Sequence, residues 1–317
     1  MNAINSIDST LLNPPLGVRS IPFHLVTGFL GSGKTTFLKE FLSQFSDKYR
    51  IAVVQNEFAE SGIDGKELQE SGWKFDLLEV NKGSVFCVCL FSDFRSQLNN
   101  FVDEYKPDVV VLEATGLADP IAISELLMDT QLQKKLYLAG VWTVIDAVHY
   151  QKVKKMPAVM NQILIADTVL VNKMDLISAG AIELIKTEVL QINPLAQLYC
   201  TTYCQMPFDN IVEKKLLRQD GKPVGAIKDV YTQVFRTSNP VKRKNVDYLI
   251  KTLNEDTYRL KGYIVTENNE AFMIQSVFVQ TKLVPVTKSM FGTEIISIGR
   301  KNIDFDYLLR KMVLINK

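Results

Sequence analysis

Gly28-Phe29-Leu30-Gly31-Ser32-Gly33-Lys34-Thr35-Thr36 is a glycine-rich run that ends in a lysine and two threonines. It fits G-x-x-x-x-G-K-[ST], the phosphate-binding loop of nucleotide triphosphatases. Ile21-Pro22-Phe23-His24-Leu25-Val26 precedes it, a short apolar run that reads as a buried strand. Phe37, Leu38, Phe41, Leu42 and Phe45 follow at the spacing of one helix face. A chance glycine turn would not need this strand–turn–helix context. The glycines let backbone N–H groups turn toward a phosphate, and the helix N-terminus adds a favourable dipole. Lys34 is expected to reach the β- and γ-phosphates, and the Thr35 hydroxyl to hold Mg²⁺. Gly28, Gly31, Ser32, Gly33 and Thr36 complete the expected cradle.

Working outward, short apolar runs alternate with amphipathic segments from residue 20 to about 205. Strands are predicted at 51–54, 76–80, 108–112, 138–145 and 168–171, and helices at 93–101 and 179–189. This βαβ rhythm predicts an α/β fold, a P-loop NTPase with a mainly parallel sheet. Gln219-Asp220-Gly221-Lys222-Pro223-Val224-Gly225 reads as a linker. Beyond it, strand-like runs at 230–235, 260–265, 271–279 and 294–298, with helices at 244–253 and 304–312, suggest a smaller α+β domain. The expected division is a disordered tail over 1–19, a P-loop domain over 20–222 and a C-terminal α+β domain over 223–317.

Two further signals lie at predicted strand ends, where ligands of such sheets bind. Glu113-Ala114-Thr115-Gly116 follows the run Val109 to Leu112. Glu113 can complete a Mg²⁺ shell, through a water given its length, and Gly116 can offer its N–H to a γ-phosphate. A solvated loop acid is the plainer alternative. Asn172-Lys173-Met174-Asp175 matches N-K-x-D. A carboxylate at Asp175 can accept from the ring N1–H and exocyclic amine of guanine together, which adenine cannot offer. Asn172 can contact the base or brace the loop, and the Lys173 stem can cover the base plane. The alternative is a helix cap at Asp175. In order after a phosphate loop, the tetrad favours GTP over ATP.

Asn81 to Leu90 contains Cys87-Val88-Cys89. In an extended chain both thiols share a face and can grip one soft divalent ion such as Zn²⁺. Two buried cysteines in a half-covered strand are the equal alternative. Cys200 and Cys204 read as core packing or a base-side loop.

The bulk numbers exclude more than they assign. The chain has 317 residues, 47% hydrophobic and 22% charged, with a net charge of +1. That balance gives no electrostatic case for nucleic acid or a membrane surface. No apolar run is long enough to span a bilayer. The first residues do not read as a signal peptide. Four cysteines then fit a reducing cytoplasm, and the two histidines confine imidazole chemistry to His24 and His149.

The order of these motifs resembles the CobW-like branch of the metal-trafficking P-loop GTPases, relatives of the urease and hydrogenase accessory GTPases. Carrying the resemblance are Thr27 to Thr36, Asn56-Glu57-Phe58-Ala59-Glu60 with Gly62-Ile63-Asp64, Cys87-Val88-Cys89, Glu113 to Pro120, Asn172 to Asp175, and Arg259-Leu260-Lys261-Gly262. Three departures stand out. Leu90 occupies the place of the family's third cysteine, Phe86 and Ala59 replace glycines, and histidine-rich stretches are absent. The resemblance implies slow GTP hydrolysis coupled to delivery or insertion of a Zn²⁺- or Co²⁺-class ion. Lys34, Glu113 and Gly116 would be the catalytic groups, acting by positioning and charge neutralisation without a general base. Cys87 and Cys89, with Glu60, would hold the metal. The implied partners are GTP and a client metalloprotein or cofactor enzyme, with a homodimer left open. A GTP-driven activator that carries no metal is the second class.

Overall fold

The computed structural model describes residues 21–57, 72–81, 88–116, 132–208, 231–254, 257–277, 280–286, 292–299, 304 and 307–308. The expected tail over 1–19 and linker over 219–225 lie outside them. The chain divides into two compact units, one within Ser20–Lys222 and one within Pro223–Lys317.

In the first unit, β1 (Ile21–Thr27), β2 (Ile51–Glu57), β3 (Asp76–Asn81), β4 (Val109–Glu113), β5 (Leu136–Asp146), β6 (Thr168–Asn172) and β7 (Gln197–Thr201) form one sheet. Its order is β3-β2-β4-β1-β5-β6-β7, and the pairs are parallel throughout. The run Val109 to Leu112 is buried, as a strand covered on both faces requires. Helix α1 (Lys34–Phe45) lays Phe37, Leu38, Phe41, Leu42 and Phe45 into a cluster with Val26, Val53, Val111, Val144 and Leu170. Phe208 wedges edge-on against Phe37, Phe41 and Phe45 at centroid distances of 5.4, 5.6 and 5.8 Å. Such ring pairs each add about 0.5–1.5 kcal/mol beyond burial. His24 belongs to this core. It is buried, and its Nδ1 accepts from Trp142 Nε1 at 3.1 Å.

Two helices depart from expectation. Helix α2 spans Val88–Tyr105 and begins well before the predicted start at 93. Its first turns are apolar without a break, Val88-Cys89-Leu90-Phe91, so the helical period shows only from Phe94 onward. After the one-turn α3 (Tyr150–Val153), α4 (Pro157–Ile165) carried no periodic signal either. Val159, Gln162, Ile163, Leu164 and Ile165 are all buried, and a helix sunk on several sides has no polar face to mark it. Helix α5 (Ala179–Ile192) is capped by Ser178, whose Oγ accepts from Ala181 N.

The second unit is an antiparallel sheet in the order β11-β10-β9-β12-β8. Its strands are β8 (Tyr231–Thr237), β9 (Thr257–Val265), β10 (Ala271–Val277), β11 (Gln280–Val286) and β12 (Thr293–Gly299). Helix α6 (Val246–Asn254) supplies Val246, Leu249, Ile250 and Leu253 to a core with Leu260, Ile264, Ile274 and Ile295. Strand β11 was not predicted. It is an edge strand with Pro285 opposite Phe272, and edges tolerate proline and lysine that read as loop. Of the predicted helix over 304–312, only Tyr307 and Leu308 are described as helical.

Candidate functional site

The phosphate loop leaves β1 after Thr27 and enters α1 at Lys34, with Gly33 as the N-cap in left-handed backbone, φ 108°. No side chain caps this helix and its first turn carries no acid. The first four amides of any α-helix lack intrahelical acceptors, so these remain for an anion. The Ser32 Oγ is buried within the loop with no hydrogen-bond partner among the described residues.

Three consecutive loop carbonyls accept hydrogen bonds from residues at or just after the ends of β6 and β7. Gly31 O accepts from Lys173 Nζ at 2.7 Å, Ser32 O from Asn172 Nδ2 at 3.1 Å, and Gly33 O from Cys204 Sγ at 3.4 Å. Within the loop, Ser32 N donates to Phe29 O at 3.1 Å, closing the turn that precedes α1. Gly33 has no room for a side chain here, since a Cβ would lie 2.6 Å from Asn172 Nδ2. Lys34 is buried, with its Nζ 3.4 Å from Phe29 O.

Thr35 Oγ1 donates to Glu113 Oε1 at 3.2 Å, and Gln55 Nε2 donates to Glu113 Oε2 at 3.0 Å. The hydroxyl and carboxylate oxygens converge beside the loop. This hard donor set suits Mg²⁺, which keeps most of its own waters. Gly116 lies against the loop, where a Cβ would meet Leu30 N at 2.5 Å. Its carbonyl accepts from Gln162 Nε2 at 3.3 Å.

At the N-K-x-D end, Asn172 is buried and its Oδ1 accepts from Cys204 N at 3.0 Å and Thr201 Oγ1 at 3.3 Å. Its bonds brace the loop, one of its two expected uses. Lys173 adopts φ 63° and opens a 3₁₀ turn over Met174–Leu176. Asp175 lies in that turn, where its Oδ1 accepts from Thr202 Oγ1 at 3.1 Å. The following residues, Tyr203 at φ 53° and Cys204 at φ 57°, are both left-handed, and Tyr203 is 72% exposed. Burial, with the charge of Glu40, pushes the Cys204 thiol up to about 12. Burial also raises Cys200.

Sequence reasoning missed Asp146, Gln55 and Thr202. Asp146 Oδ2 accepts from Lys173 Nζ at 2.7 Å and sits 3.0 Å from His149 Nδ1. Burial pushes this carboxyl up, but hydrogen bonds from Lys173 and His149 and the Lys173 charge outweigh it and hold it below the usual carboxylate value. The signal was available, because Asp146 ends a buried strand as Glu113 does.

Gly28 through Thr36, Glu113, Gly116 and Asn172 through Asp175 therefore gather at the carboxyl ends of β1, β4 and β6. Cys87 and Glu60 lie outside the described residues. Cys89 is in the first turn of α2, so the extended reading of Cys87 to Cys89 ends at Val88. On a helix, successive residues rotate by about 100° and do not alternate two faces. Among the described residues no group of three or more His, Cys, Asp or Glu could hold a metal ion. A groove of about 520 Å³ opens at the amino ends of β2 and β3, lined by Ser46–Ile51 and Trp73–Asp76. It takes no residue from the phosphate loop. No helix among the described residues is long and apolar enough to cross a membrane.

Fold and site together define a P-loop nucleotide-binding protein with the central strand flanked by parallel neighbours. The family is narrower than that. Residues 22–199 match the CobW/HypB/UreG nucleotide-binding domain, and the chain belongs to that family. It is 32% identical over 200 residues to the zinc-regulated GTPase metalloprotein activator 1 of Schizosaccharomyces pombe, covering 61% of this chain and 48% of that protein. It is 30% identical over 186 residues to the zinc chaperone YjiA of Escherichia coli, covering 56% of this chain and 57% of that one. The chain thus spans about half the length of the curated relatives it matches. The crystal structure of Zn(II)-bound YjiA GTPase superposes with a TM-score of 0.63 at 22% identity, covering 92% of this chain and 97% of that one.

Proposed function

We propose that this protein binds and slowly hydrolyses GTP and uses the nucleotide state to hand a transition metal, zinc before cobalt, to a client metalloprotein. The observation that carries the nucleotide part is the capture of Gly31, Ser32 and Gly33 carbonyls by Lys173, Asn172 and Cys204. A base-selecting tetrad tied directly to a phosphate cradle makes one nucleotide site. Lys34 would neutralise charge on the β- and γ-phosphates, and the loop amides would hold the phosphate oxygens. Thr35 and Glu113 would hold Mg²⁺, which screens the developing charge when bound. Gly116 would offer its N–H to the γ-phosphate, and Asp175 would select guanine. Positioning and charge neutralisation would supply the catalysis, and a slow rate follows.

The metal part draws support from the relatives named zinc chaperone and zinc-regulated activator. Cys87, Cys89 and Glu60 would be the ligands, brought together when the loops order around GTP. The second reading, a GTP-driven activator without cargo, is favoured by one observation: Cys89 is helical, and Leu90 stands where a third thiol would be. Competition of GTP, ATP and XTP for the wild-type protein tests the base assignment, with Asp175→Asn expected to trade GTP for XTP. Zn²⁺ titration with GTP and Mg²⁺, using Cys87→Ser and Cys89→Ser, separates the two readings. Binding that is independent of both thiols leaves the activator.

A further inference from the structure

Lys173 reaches across the site to touch two separate segments. Its Nζ donates to Gly31 O of the phosphate loop at 2.7 Å and to Asp146 Oδ2 at the end of β5 at 2.7 Å. The Asp146 carboxylate is itself fixed. Its Oδ1 accepts from Val148 N at 2.9 Å and His149 N at 3.2 Å, a turn closed on its own side chain. Its Oδ2 also lies 3.0 Å from His149 Nδ1. Asp146 pairs in register with Asn172, and Ala147 N donates to Asn172 O at 3.0 Å, so the two strand ends are locked. The Asp146 side chain is only 9% exposed, while that of Lys173 is 33% exposed.

These contacts have a consequence for the ligand. A lysine on a strand end has many rotamers, and its backbone here is in left-handed conformation, φ 63°. Free in solvent, that side chain would swing away and lose rotamer entropy on returning. A part-buried carboxylate removes that freedom before the nucleotide arrives and neutralises the ammonium at the mouth of the site. The charge-assisted bond to a shielded acid is of the stronger class.

We propose that Asp146 is a positioning residue for the nucleotide: it holds Lys173 over the phosphate loop, so that the Lys173 stem stands ready as a wall of the base site. The proposal rests on the nucleotide-site reading above and assigns a role to a residue outside the recognised motifs. Because Asp146 acts through Lys173 and the base end, its loss weakens GTP and GDP alike and leaves turnover at saturation in place.

The test uses the full chain. GTP and GDP dissociation constants and steady-state hydrolysis are measured for wild type, Asp146→Ala, Asp146→Asn, Lys173→Ala and the double variant Asp146→Ala/Lys173→Ala. Asp146→Ala is expected to weaken both nucleotides about tenfold and raise KM with kcat within about twofold. In the Lys173→Ala background the same change is expected to cost nothing further, since the partner is gone. Asp146→Asn, isosteric and uncharged, should fall between wild type and alanine and carries the cycle if the alanine protein does not fold. Equal losses in both backgrounds, loss of kcat with affinity kept, or no loss at all would overturn the role of Asp146. A wild-type protein that fails to bind GTP would instead overturn the nucleotide reading itself.

Discussion

Asn172 Nδ2 donates to Ser32 O at 3.1 Å, joining the end of β6 to the turn of the phosphate loop. The other side of the same amide accepts from Cys204 N. One buried side chain thereby fixes the phosphate loop and the turn after β7 in one geometry. In the proposed nucleotide site, phosphate and base recognition would therefore be coupled, and loosening one is expected to loosen the other.

Asn172→Ala would leave Ser32 O and Cys204 N without this partner in a buried place. Each such orphaned group costs about 1–3 kcal/mol, so for the two a loss of about 2–6 kcal/mol in unfolding free energy is expected. Urea unfolding of the variant measures it. A parallel nucleotide titration should show weaker binding of GDP, whose β-phosphate uses the same loop.

Thr35→Ala removes the hydroxyl that meets Glu113 Oε1. The carboxylate remains held by Gln55 at 3.0 Å. Expected is a variant that binds nucleotide in the presence of a chelator about as well as wild type, while the gain in affinity on adding Mg²⁺ shrinks by about tenfold, or 1.4 kcal/mol. Fluorescent-nucleotide titration with and without Mg²⁺ checks it. An undiminished Mg²⁺ effect would remove Thr35 from the metal shell.

Cys204 predicts a direction with pH. Its thiol has a folded-state pKa of about 12 against an ordinary 9.0, mainly through burial. A thiol raised in the folded state contributes stability that is present below the ordinary value and lost as pH rises through the folded one. Stability should therefore decline between about pH 9 and 12, and the decline should be smaller in Cys204→Ala. At neutral pH the native Cys204 should resist alkylation until denaturant is added, because the thiolate is the reacting form. Mass spectrometry of labelled peptides reads both.

Gly262→Ala addresses the second unit. A Cβ at this position would lie 1.9 Å from Glu294 O in the neighbouring strand β12. Backbone cannot yield there without parting β9 from β12, and overpacking of this kind costs about 1–3 kcal/mol or more. Amide hydrogen exchange should show lost protection across β9 and β12, with β1 and β4 keeping theirs. Full protection in both strands would refute the close-approach account.

Much of the fold was legible because it is written in local periodicity. Val109 to Leu112 is apolar at every position, and Phe37, Leu38, Phe41 and Leu42 recur at helical spacing, so a covered strand and an amphipathic helix follow from neighbours alone. Helix α4 and strand β11 were not legible. One is buried too evenly to show a face, and the other carries edge residues that mimic a loop. The start of α2 was not legible for a related reason, since it is apolar without a period and an extended chain fits it equally well.

The chemical groups for a nucleotide are readable along the chain: glycines that permit the turn, Lys34 and Thr35 at a helix start, and Asn172 to Asp175 in order after them. These are short-range facts, fixed by spacing along the chain. How those groups meet one another depends on the folded sheet. It set Asn172 as a brace, one of its two expected uses, brought Gln55 to Glu113, and set Asp146 against Lys173 across the ends of β5 and β6. Each of those pairings depends on strand order in the sheet, and parallel strand order is set by long-range packing that no local pattern encodes.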